Sequence, residues 1–377
     1  MKKIRIGLIG GGFIGRAHAT AYRNIMPIFG PDIQPELAVM ADANEAAARR
    51  IRESHQFERH TTDWREVIAA KDVDAVCVAT PNNSHCEISM AAAANGKHVL
   101  CEKPLGMDAD EAIKAAKAIN GSGVVAAVGF NMVKAPATAF AKELYDSGRL
   151  GDLVSFRGVY DTDGLSYEGV KHEWRMLKAN SSIGALGDLG AHTLSVSQFI
   201  LGDIEEVCGM TKIVFPERPD PKNPAKTLPV ENEDAGQCMF TYKNGGMGQL
   251  VSSRVGVGRK QNCTYEIQGT KGTVYWTLER MNELLFYTHE KDHREEGFKL
   301  IQATPGQGEY GHFFGGQAIG IGYEDLKIIE NYHFLRNIAE GTKPEIDFVF
   351  GAKINCILDA LLDSAAGRKW VKVRSVS

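Results

Sequence analysis

Two polar residues near the middle of the chain, Asp188 and His192, are spaced for proton transfer. The sequence DLGAHTLSVSQFILG after GALG predicts a helix, on which side chains four residues apart share a face. An imidazole titrates near neutral pH, and a neighbouring carboxylate can hold the ring and stabilise its cation. The pair is thus a candidate general base with its supporting carboxylate. An ion pair on a solvated helix face is the alternative that these two residues leave open.

A glycine-rich turn near the N-terminus is spaced for binding a dinucleotide. The sequence GGGFIG matches G-x-G-x-x-G and stands between the strand-like IRIGLI and the helix-compatible RAHATAYRN. Gly10 permits the tight turn, Gly12 lets the backbone approach the pyrophosphate, and Gly15 lets the helix pack on the strand. The helix N-terminus offers N–H groups to the phosphates, so Phe13 and Ile14 join the candidate cofactor-binding residues.

Asp42 stands at the end of the second predicted strand, in LAVMADAN. A carboxylate at this place can accept hydrogen bonds from the adenosine ribose. It favours NAD as the cofactor, because the 2′-phosphate of NADP would be repelled. Two alternatives stay open: Asp42 could cap the following helix, and Arg49 and Arg50 keep NADP possible.

Two further segments, ATPNNSH and CEKPLG, follow predicted strands and carry polar residues. Ligands in doubly wound sheets bind outside the carboxyl ends of the strands, so both segments should face the nicotinamide. The candidate cofactor-binding residues in them are Thr80, Pro81, Asn82, His85, Glu102 and Lys103. Asn82 and His85 could instead cap the helix that starts there.

The elements that must position these residues alternate in the first third of the chain. Short β-branched runs are separated by alanine-rich helical stretches, a pattern typical of parallel strands joined by helices. The predicted strands are Ile4 to Ile9, Leu37 to Ala41, Ala75 to Ala79, His98 to Leu100 and Val124 to Val128. The predicted helices are Asn44 to Ser54, Trp64 to Ala70, His85 to Asn95 and Ala109 to Asn120. We therefore predict an N-terminal doubly wound Rossmann domain over residues 1–129, with NAD as its cofactor.

The pattern changes after Gly129. A helix opened by Pro136 precedes longer strands in succession, which predicts an antiparallel or mixed sheet. The strands are Leu153 to Asp161, Glu233 to Tyr242, Met247 to Arg254, Thr264 to Gln268, Val274 to Thr277 and Glu283 to Tyr287, and helices around Tyr323 to Glu340 and Gly351 to Ala366 follow. The predicted fold class is α/β, with a C-terminal α+β domain over residues 130–377 that carries a large, mostly antiparallel open sheet.

A glycine-rich stretch between Pro305 and Gly322 has neither helical nor strand periodicity and contains His312, Phe313 and Phe314. Long loops in compact domains are often functional or disordered. The aromatic content favours an arm over the active site or across a subunit boundary, with His312 as a candidate substrate contact. A poorly ordered surface loop is the alternative.

Charge and cysteine usage narrow the choice of partners. A chain of 377 residues exceeds the usual size of a single hydrophobic core, so two domains are expected. It contains 43 basic and 47 acidic residues, which give a net charge of -4. This balance offers no broad positive field to nucleic acid or anionic membrane, and no apolar run reaches the roughly 18 residues of a membrane span. The seven scattered cysteines lack metal-binding spacing and predict buried thiols in a reducing cytoplasm, with no metal site. A small-molecule partner is expected.

Over nearly its whole length, the chain resembles the Gfo/Idh/MocA oxidoreductases. The motifs that carry the resemblance are GGGFIG, ATPNNSH, CEKPLG, GFN at Gly129 to Asn131, and EWR followed by GALGDLGAH between Glu173 and His192. The resemblance implies an NAD-dependent oxidoreductase that acts on a sugar or polyol. Ser195 stands where many relatives carry an aspartate, which leaves the substrate open.

The resemblance also implies the roles of the reactive residues. Lys103 is expected to contact the substrate hydroxyl, beside a Lys–Pro bond that is commonly cis. A cation there stabilises negative charge on the alcohol oxygen as hydride leaves carbon. His192 is expected to accept the proton, and Asp188 to support it or to bind substrate.

Three further substrate-binding candidates follow from the same motifs. Trp174 and Arg175 fall where relatives line the sugar site, and Asn131 closes the GFN motif. Arg175 could pair with adjacent hydroxyls or with an acidic group. Packing in the core is the alternative for Trp174.

The leading hypothesis is oxidation of a secondary ring hydroxyl of a cyclic polyol or sugar, as in inositol dehydrogenases acting on scyllo-inositol or on some aldoses. The alternatives are an anhydrosugar dehydrogenase of the levoglucosan type, an NAD-dependent glycosidase, and a non-catalytic NAD-binding sensor. The resemblance also implies a homodimer or homotetramer that forms through the C-terminal sheet.

Overall fold

The structure is a computed structural model that describes residues 1–313 and 315–376, and these divide into two compact units. Met1–Asn131 and Gly322–Asn355 form the first unit, and Met132–Ile321 and Cys356–Ser375 form the second. The boundary predicted after Gly129 assigns residues 322–355 to the C-terminal domain, whereas their contacts group them with the N-terminal residues. The physical reason is that a helix of this stretch packs against the first helix of the chain.

A parallel sheet forms the centre of the first unit. Its strands are β1 (Lys2–Ile9), β2 (Ile33–Ala41), β3 (Arg59–Thr61), β4 (Ala75–Val78), β5 (His98–Glu102) and β6 (Ala126–Gly129). In the described part of the chain they stand in the order β3-β2-β1-β4-β5-β6 and pair in parallel throughout. This is the strand order of a Rossmann fold, which confirms the predicted doubly wound sheet.

Helices connect these strands. They are α1 (Phe13–Phe29), α2 (Glu45–His55), α3 (Trp64–Ala69), α4 (His85–Ala94) and α5 (Ala109–Ile119), and α8 (Tyr323–Glu340) packs against α1. Among the described residues, none of the helices combines the length and the apolar composition that a membrane span requires.

The strand ends that carry the candidate residues lie at one edge of this sheet. Ile9 pairs with both Ala41 and Val78, and Val78 pairs with Cys101. The glycine turn after β1 and the segments after β2, β4 and β5 therefore start from the same edge, where parallel sheets bind ligands.

A larger sheet forms the centre of the second unit. Its strands are β7 (Leu153–Asp161), β8 (Ile204–Lys212), β11 (Ala235–Tyr242), β12 (Met247–Ser253), β13 (Asn262–Gly269), β14 (Gly272–Thr277), β15 (Glu283–Thr288), β16 (Lys299–Gln302) and β17 (Val371–Lys372). They stand in the order β16-β15-β14-β13-β7-β12-β11-β8-β17 and pair antiparallel, except that β7 and β12 are parallel. The prediction of a mostly antiparallel sheet is confirmed. A separate short ribbon consists of β9 (Glu217–Pro219) and β10 (Thr227–Pro229).

One face of this sheet supports the candidate general base. Phe156, Gly158 and Tyr160 alternate as buried residues along β7, as expected for a sheet with one packed face. The helices α6 (Pro136–Asp146) and α7 (Ala191–Leu201) belong to this unit, and α9 (Phe348–Gly367) starts in the first unit and ends in the second. The start of the helical segment that contains α7 packs on β7 and β12.

The glycine-rich stretch 305–322 is anchored by an aromatic side chain. Tyr310 is 1% exposed; its hydroxyl donates a hydrogen bond to the carbonyl oxygen of Ile319, and the carbonyl oxygen of Gly316 lies 3.2 Å from the same hydroxyl. A buried anchor of this kind argues against a poorly ordered loop. Phe314 lies outside the described residues, and the predicted role of the stretch as an arm over a site stays a prediction.

Candidate active site

The glycine turn after β1 forms an open cradle at the N-terminus of α1. Gly10 has φ of +107°, and a Cβ there would overlap the carbonyl oxygen of Ala79. A Cβ at Gly15 would overlap the carbonyl oxygen of Gly10, so the helix can approach the strand only without a side chain. At Gly12, by contrast, a Cβ would meet no atom within 4 Å.

The N-terminus of α1 fits a bound diphosphate. Gly12 is the N-cap residue of α1, no side chain among the described residues caps this helix, and its first turn contains no acidic residue. The N–H groups of Phe13, Ile14 and Gly15 belong to the turn whose donors lack partners within a helix. Open space in front of such donors is what a pyrophosphate group requires.

Asp42 is bound to the glycine turn itself. Its Oδ2 accepts a hydrogen bond from the N–H of Gly11 at 2.6 Å, and its Oδ1 accepts one from Asn44 at 2.7 Å. The side chain of Asn44, not that of Asp42, caps α2 through the N–H groups of Ala46 and Ala47. The helix-cap alternative for Asp42 is therefore wrong, and the carboxylate is fixed next to the cradle.

The side chain of His85 holds the segment after β4 in place. Its ring is 1% exposed, with Nε2 2.9 Å from the carbonyl oxygen of Thr80 and Nδ1 2.8 Å from that of Pro104. Burial lowers the pKa of this imidazole. Asn82 begins a 3-10 turn and is also buried, whereas Pro81 is exposed. The contacts of His85 support a positioning role that ties the end of β4 to the segment after β5.

The segment after β5 presents Lys103 at the sheet edge. The Lys103–Pro104 bond is cis, as the resemblance implied. The side chain of Lys103 is half-buried, and the backbone N–H of Lys103 donates a hydrogen bond to Oε2 of Glu102 at 3.2 Å. The carboxylate of Glu102 bonds to buried cations of the first unit, and its predicted place beside the cofactor stays a prediction.

These partners form a buried ion-pair network. The ammonium of Lys327, on α8, bonds to Glu102 and, at 2.7 Å, to Glu330. His18, on α1, places its Nε2 2.9 Å from Glu102 Oε1. Burial raises the pKa of Glu102, but the charges of Lys327 and His18 outweigh it and hold that pKa well below its usual value.

The network explains the glycine at the end of β6. A Cβ at Gly129 would lie 2.9 Å from Oε1 of Glu102, so the carboxylate occupies the space of a side chain. Asn131, two residues later, is fully buried. Its predicted contact with substrate stays a prediction.

The same cluster contains three possible metal ligands. Atoms of His18, Glu102 and Glu330 lie within 4.8 Å of one another. The Lys327 ammonium already bonds to both carboxylates, and its positive charge opposes a cation at this place. We interpret these residues as an ion-pair network.

In the second unit, the helix predicted after GALG begins with a π-helical turn. Residues Leu186–Gly190 form this turn, and α7 starts at Ala191, so Asp188 and His192 stand on either side of the join. Such turns often occur at functional sites. His192 is only 6% exposed and packs near the ring of Tyr160, which argues against the alternative of an ion pair on a solvated helix face.

Asp188 is half-exposed and belongs to a charged group with Arg175. The Nε of Arg175 lies 3.9 Å from Oδ2 of Asp188, and its Nη1 bonds to Glu173. The guanidinium also lies 5.1 Å from the centre of the Trp174 ring. Trp174 is 39% exposed, so packing in the core of its own unit does not explain it.

The remaining candidates differ in their surroundings. His312 is half-exposed in a 3-10 turn, with its Nε2 3.3 Å from a carboxylate oxygen of Glu309. Ser195 is buried and donates a hydrogen bond to the carbonyl oxygen of His192 at 2.7 Å. Its hydroxyl therefore has its hydrogen-bond partner within its own helix.

Lys327, Glu330 and Asn331 were missed from the sequence. They lie on the buried face of α8 among Leu326, Ile329 and Phe334. Polar residues at helical spacing within an apolar stripe are a signal of a buried network, since such residues are seldom buried without partners. His18, in the helix after the glycine turn, could have been found only as the partner of such a network.

Two family models match this chain. Residues 4–130 match a model described as an oxidoreductase family with an NAD-binding Rossmann fold, and residues 138–275 match the GFO/IDH/MocA C-terminal domain.

Individual proteins are similar over different lengths. Levoglucosan dehydrogenase from Pseudarthrobacter phenanthrenivorans is 35% identical over 392 aligned residues that cover 100% of both chains. The scyllo-inositol 2-dehydrogenase (NAD(+)) of Bacillus subtilis is 26% identical over 72% of this chain and 73% of its own. A solved levoglucosan dehydrogenase in complex with NADH and levoglucosan superposes with a TM-score of 0.96 at 34% identity, covering 99% of this chain and 100% of that chain.

Proposed function

This chain belongs to the Gfo/Idh/MocA family of NAD-binding oxidoreductases, and we propose that it oxidises a secondary ring hydroxyl of an anhydrosugar or a related cyclic sugar. It is an NAD-dependent dehydrogenase of the group that acts on sugars and polyols. The similarity to levoglucosan dehydrogenase over the full length of both chains carries the choice of substrate class.

The charges around Arg175 support a neutral substrate. Glu173 and Asp188 both lie next to its guanidinium and offset its positive charge. An acidic sugar would need an arginine whose charge is available to a carboxylate. Trp174, with its exposed ring, offers an apolar surface on which the carbon face of a sugar ring can pack.

The proposed residue roles follow from chemistry. His192 accepts the proton of the hydroxyl group, and Lys103 stabilises the negative charge that develops on its oxygen. Asp188 orients the substrate together with Arg175. The glycine turn holds the pyrophosphate of NAD and Asp42 its adenosine ribose; bound NAD supplies the hydride acceptor.

An inositol is the second candidate substrate. The similarity to scyllo-inositol 2-dehydrogenase favours it, over about three quarters of the chain. Discrimination among ring hydroxyls depends on which polar groups of the site are left without partners, so the two classes should differ strongly in kcat/KM.

We propose that copies of the chain associate through the open face of the nine-stranded sheet. Met210, Met239 and Met247 on β8, β11 and β12 are between 54% and 67% exposed. Exposed apolar side chains on adjacent strands are typical of protein interfaces. Light scattering should give a dimer or tetramer for the native chain and a smaller species for Met239→Glu; a native monomer would contradict the proposal.

The substrate class is tested by following NADH formation with levoglucosan, scyllo-inositol, myo-inositol, glucose and xylose, and by identifying each product. We expect the highest kcat/KM with levoglucosan and one NADH for each ketone formed. A higher value with an inositol would select the second candidate. Cleaved glycoside without net NADH would overturn the dehydrogenase proposal in favour of a glycosidase.

A further inference from the structure

The segment before β11, residues 231–234 with the sequence ENED, is polar but largely buried. Asn232, Glu233 and Asp234 are 1%, 6% and 2% exposed. A buried polar side chain costs free energy unless it is hydrogen-bonded. The partners of these side chains therefore show what the segment holds in place.

Glu233 binds the beginning of the helical segment that carries His192. Its carboxylate accepts a hydrogen bond from the N–H group of Leu186 at 3.0 Å, and its carbonyl oxygen accepts one from the N–H group of Ala185 at 3.0 Å. The first N–H groups of a helix have no partners within it, and an acidic group is favourable there. Glu233 thus caps this helix from another part of the chain.

Glu233 can lie this close to the start of the helix only because residue 184 is a glycine. A Cβ at Gly184 would overlap the carbonyl oxygen of Glu233, so any side chain would push the two segments apart. Ser252, on β12, adds a hydrogen bond from its hydroxyl to the carbonyl oxygen of Ala185 at 2.9 Å. The start of the helix is therefore fixed from two directions.

Asn232 holds the segment that contains Arg175. Its side-chain amide donates hydrogen bonds to the carbonyl oxygen of Arg175, at 2.9 Å, and to that of Ser181. The neighbouring Glu231 extends this attachment, because its N–H donates to Met176 at 2.9 Å. Two adjacent residues, Asn232 and Glu233, thus fix the backbone of Arg175 and the helix of His192 relative to each other.

We propose that Asn232 and Glu233 are positioning residues for the reaction, Glu233 acting through His192 and Asn232 through Arg175. This inference rests on the proposed function of those two residues. A rigid attachment matters because a displacement of about 1 Å in a catalytic group can lower the rate on the order of a hundredfold.

The two residues should affect different kinetic constants. Glu233→Ala should lower kcat by about ten- to a hundredfold, because the base is misplaced. Asn232→Ala should raise KM for the sugar severalfold, with a smaller change in kcat. KM for NAD should stay unchanged in both, since the cofactor-binding candidates belong to the first unit. Glu233→Gln keeps one acceptor oxygen and should recover part of kcat.

Asp234→Asn is the matched control. Asp234 belongs to the same buried segment, but its carboxylate binds the N–H groups of Val214 and Phe215 and the side chain of Arg254. This variant should lose stability and keep the kinetic constants of its folded fraction. A merely structural role of Glu233 predicts the same behaviour for Glu233→Ala.

Hydrogen exchange provides a readout that does not need turnover. In Glu233→Ala and Glu233→Gln, the amides of residues 184–192 should exchange faster than in the native chain and in Asp234→Asn. Folded variants with native kcat, KM and exchange would overturn the proposal. A native chain without turnover on any sugar would instead contradict the proposed function, and the exchange data would still decide whether Glu233 holds the helix.

Discussion

The Nε2 atom of His18 lies 2.9 Å from Oε1 of Glu102, the residue that precedes Lys103. His18 belongs to the helix that starts at the glycine turn, and Glu102 ends the strand that leads to the proposed alkoxide-stabilising lysine. The contact therefore connects the cofactor cradle to the residue expected to touch substrate. Lys327 and Glu330 complete the network from α8.

Removing the Lys327 ammonium from this network should destabilise the first unit. In Lys327→Met, two buried carboxylates lose their shared ammonium, and breaking a buried ion pair in this way costs about 3–5 kcal/mol. Urea unfolding of the variant should show a loss of this size. Lys343→Met is the control, since the Lys343 side chain is 69% exposed and its pair with Asp347 should contribute roughly 1 kcal/mol or less. Equal losses in both variants would contradict the account.

The stability gap between the native chain and Lys327→Met should narrow in acid. The folded-state pKa of Glu102 is depressed, so its ion pairs stabilise the fold above the unfolded pKa of about 4.3, and this contribution is lost as the pH falls towards the folded value. Unfolding free energies of both proteins, measured from neutral pH downwards, should converge. A gap that stays constant or widens in acid would show that Glu102 is not ionised in the native network.

Gly12→Ala should separate cofactor binding from folding. The added methyl group meets no atom of residues 1–313 and 315–376 within 4 Å and projects into the open cradle. We expect an unchanged melting temperature and a dissociation constant for NADH raised at least tenfold, measured by fluorescence titration. Gly297→Ala also adds a methyl group to open space, but in the second unit, and should bind NADH normally. Native NADH affinity in Gly12→Ala would exclude the cradle as the pyrophosphate site.

Asp42→Ala should reduce the preference for NAD over NADP. The carboxylate offers charge-assisted hydrogen bonds to the ribose, and losing them should weaken NAD binding by about ten- to a hundredfold. NADP should become relatively better, because its 2′-phosphate is no longer repelled. The ratio of kcat/KM for the two cofactors measures this shift. Glu45→Ala, at an exposed carboxylate in the first turn of α2, should leave the ratio unchanged.

The sequence predicted those elements whose pattern of apolar residues matches their burial in the structure. The strands of the Rossmann sheet are apolar runs, and β7 was predicted from Leu153 to Asp161, the bounds found in the structure. The strands β3 and β8 were not predicted. Arg59–Thr61 is too short and polar to show a pattern, and Ile204–Lys212 mixes acidic residues with Gly209.

The candidate site was predicted where a motif carries the chemistry. Gly12, Asp42 and the cis bond at Lys103 follow from such motifs. The partners of Glu102 could not be predicted, because His18 and Lys327 lie 309 positions apart and meet only through tertiary packing. The cap formed by Glu233 could not be predicted for the same reason, since it also joins separate parts of the chain. Glu102 shows the same limit: its motif is visible in the sequence, but the direction of its carboxylate is set by α8.

The most direct test of the account is the rate of NADH formation from levoglucosan by the native chain, Lys103→Ala and His192→Ala at alkaline pH. Each variant should lose at least a hundredfold in kcat, because general-base catalysis alone contributes about 10²–10⁴-fold. His192→Ala should keep the NADH affinity of the native chain, since His192 is not among the cofactor-binding candidates. Asp234→Asn should turn over at the native rate per folded molecule. Native turnover in either Lys103→Ala or His192→Ala would contradict the proposed chemistry.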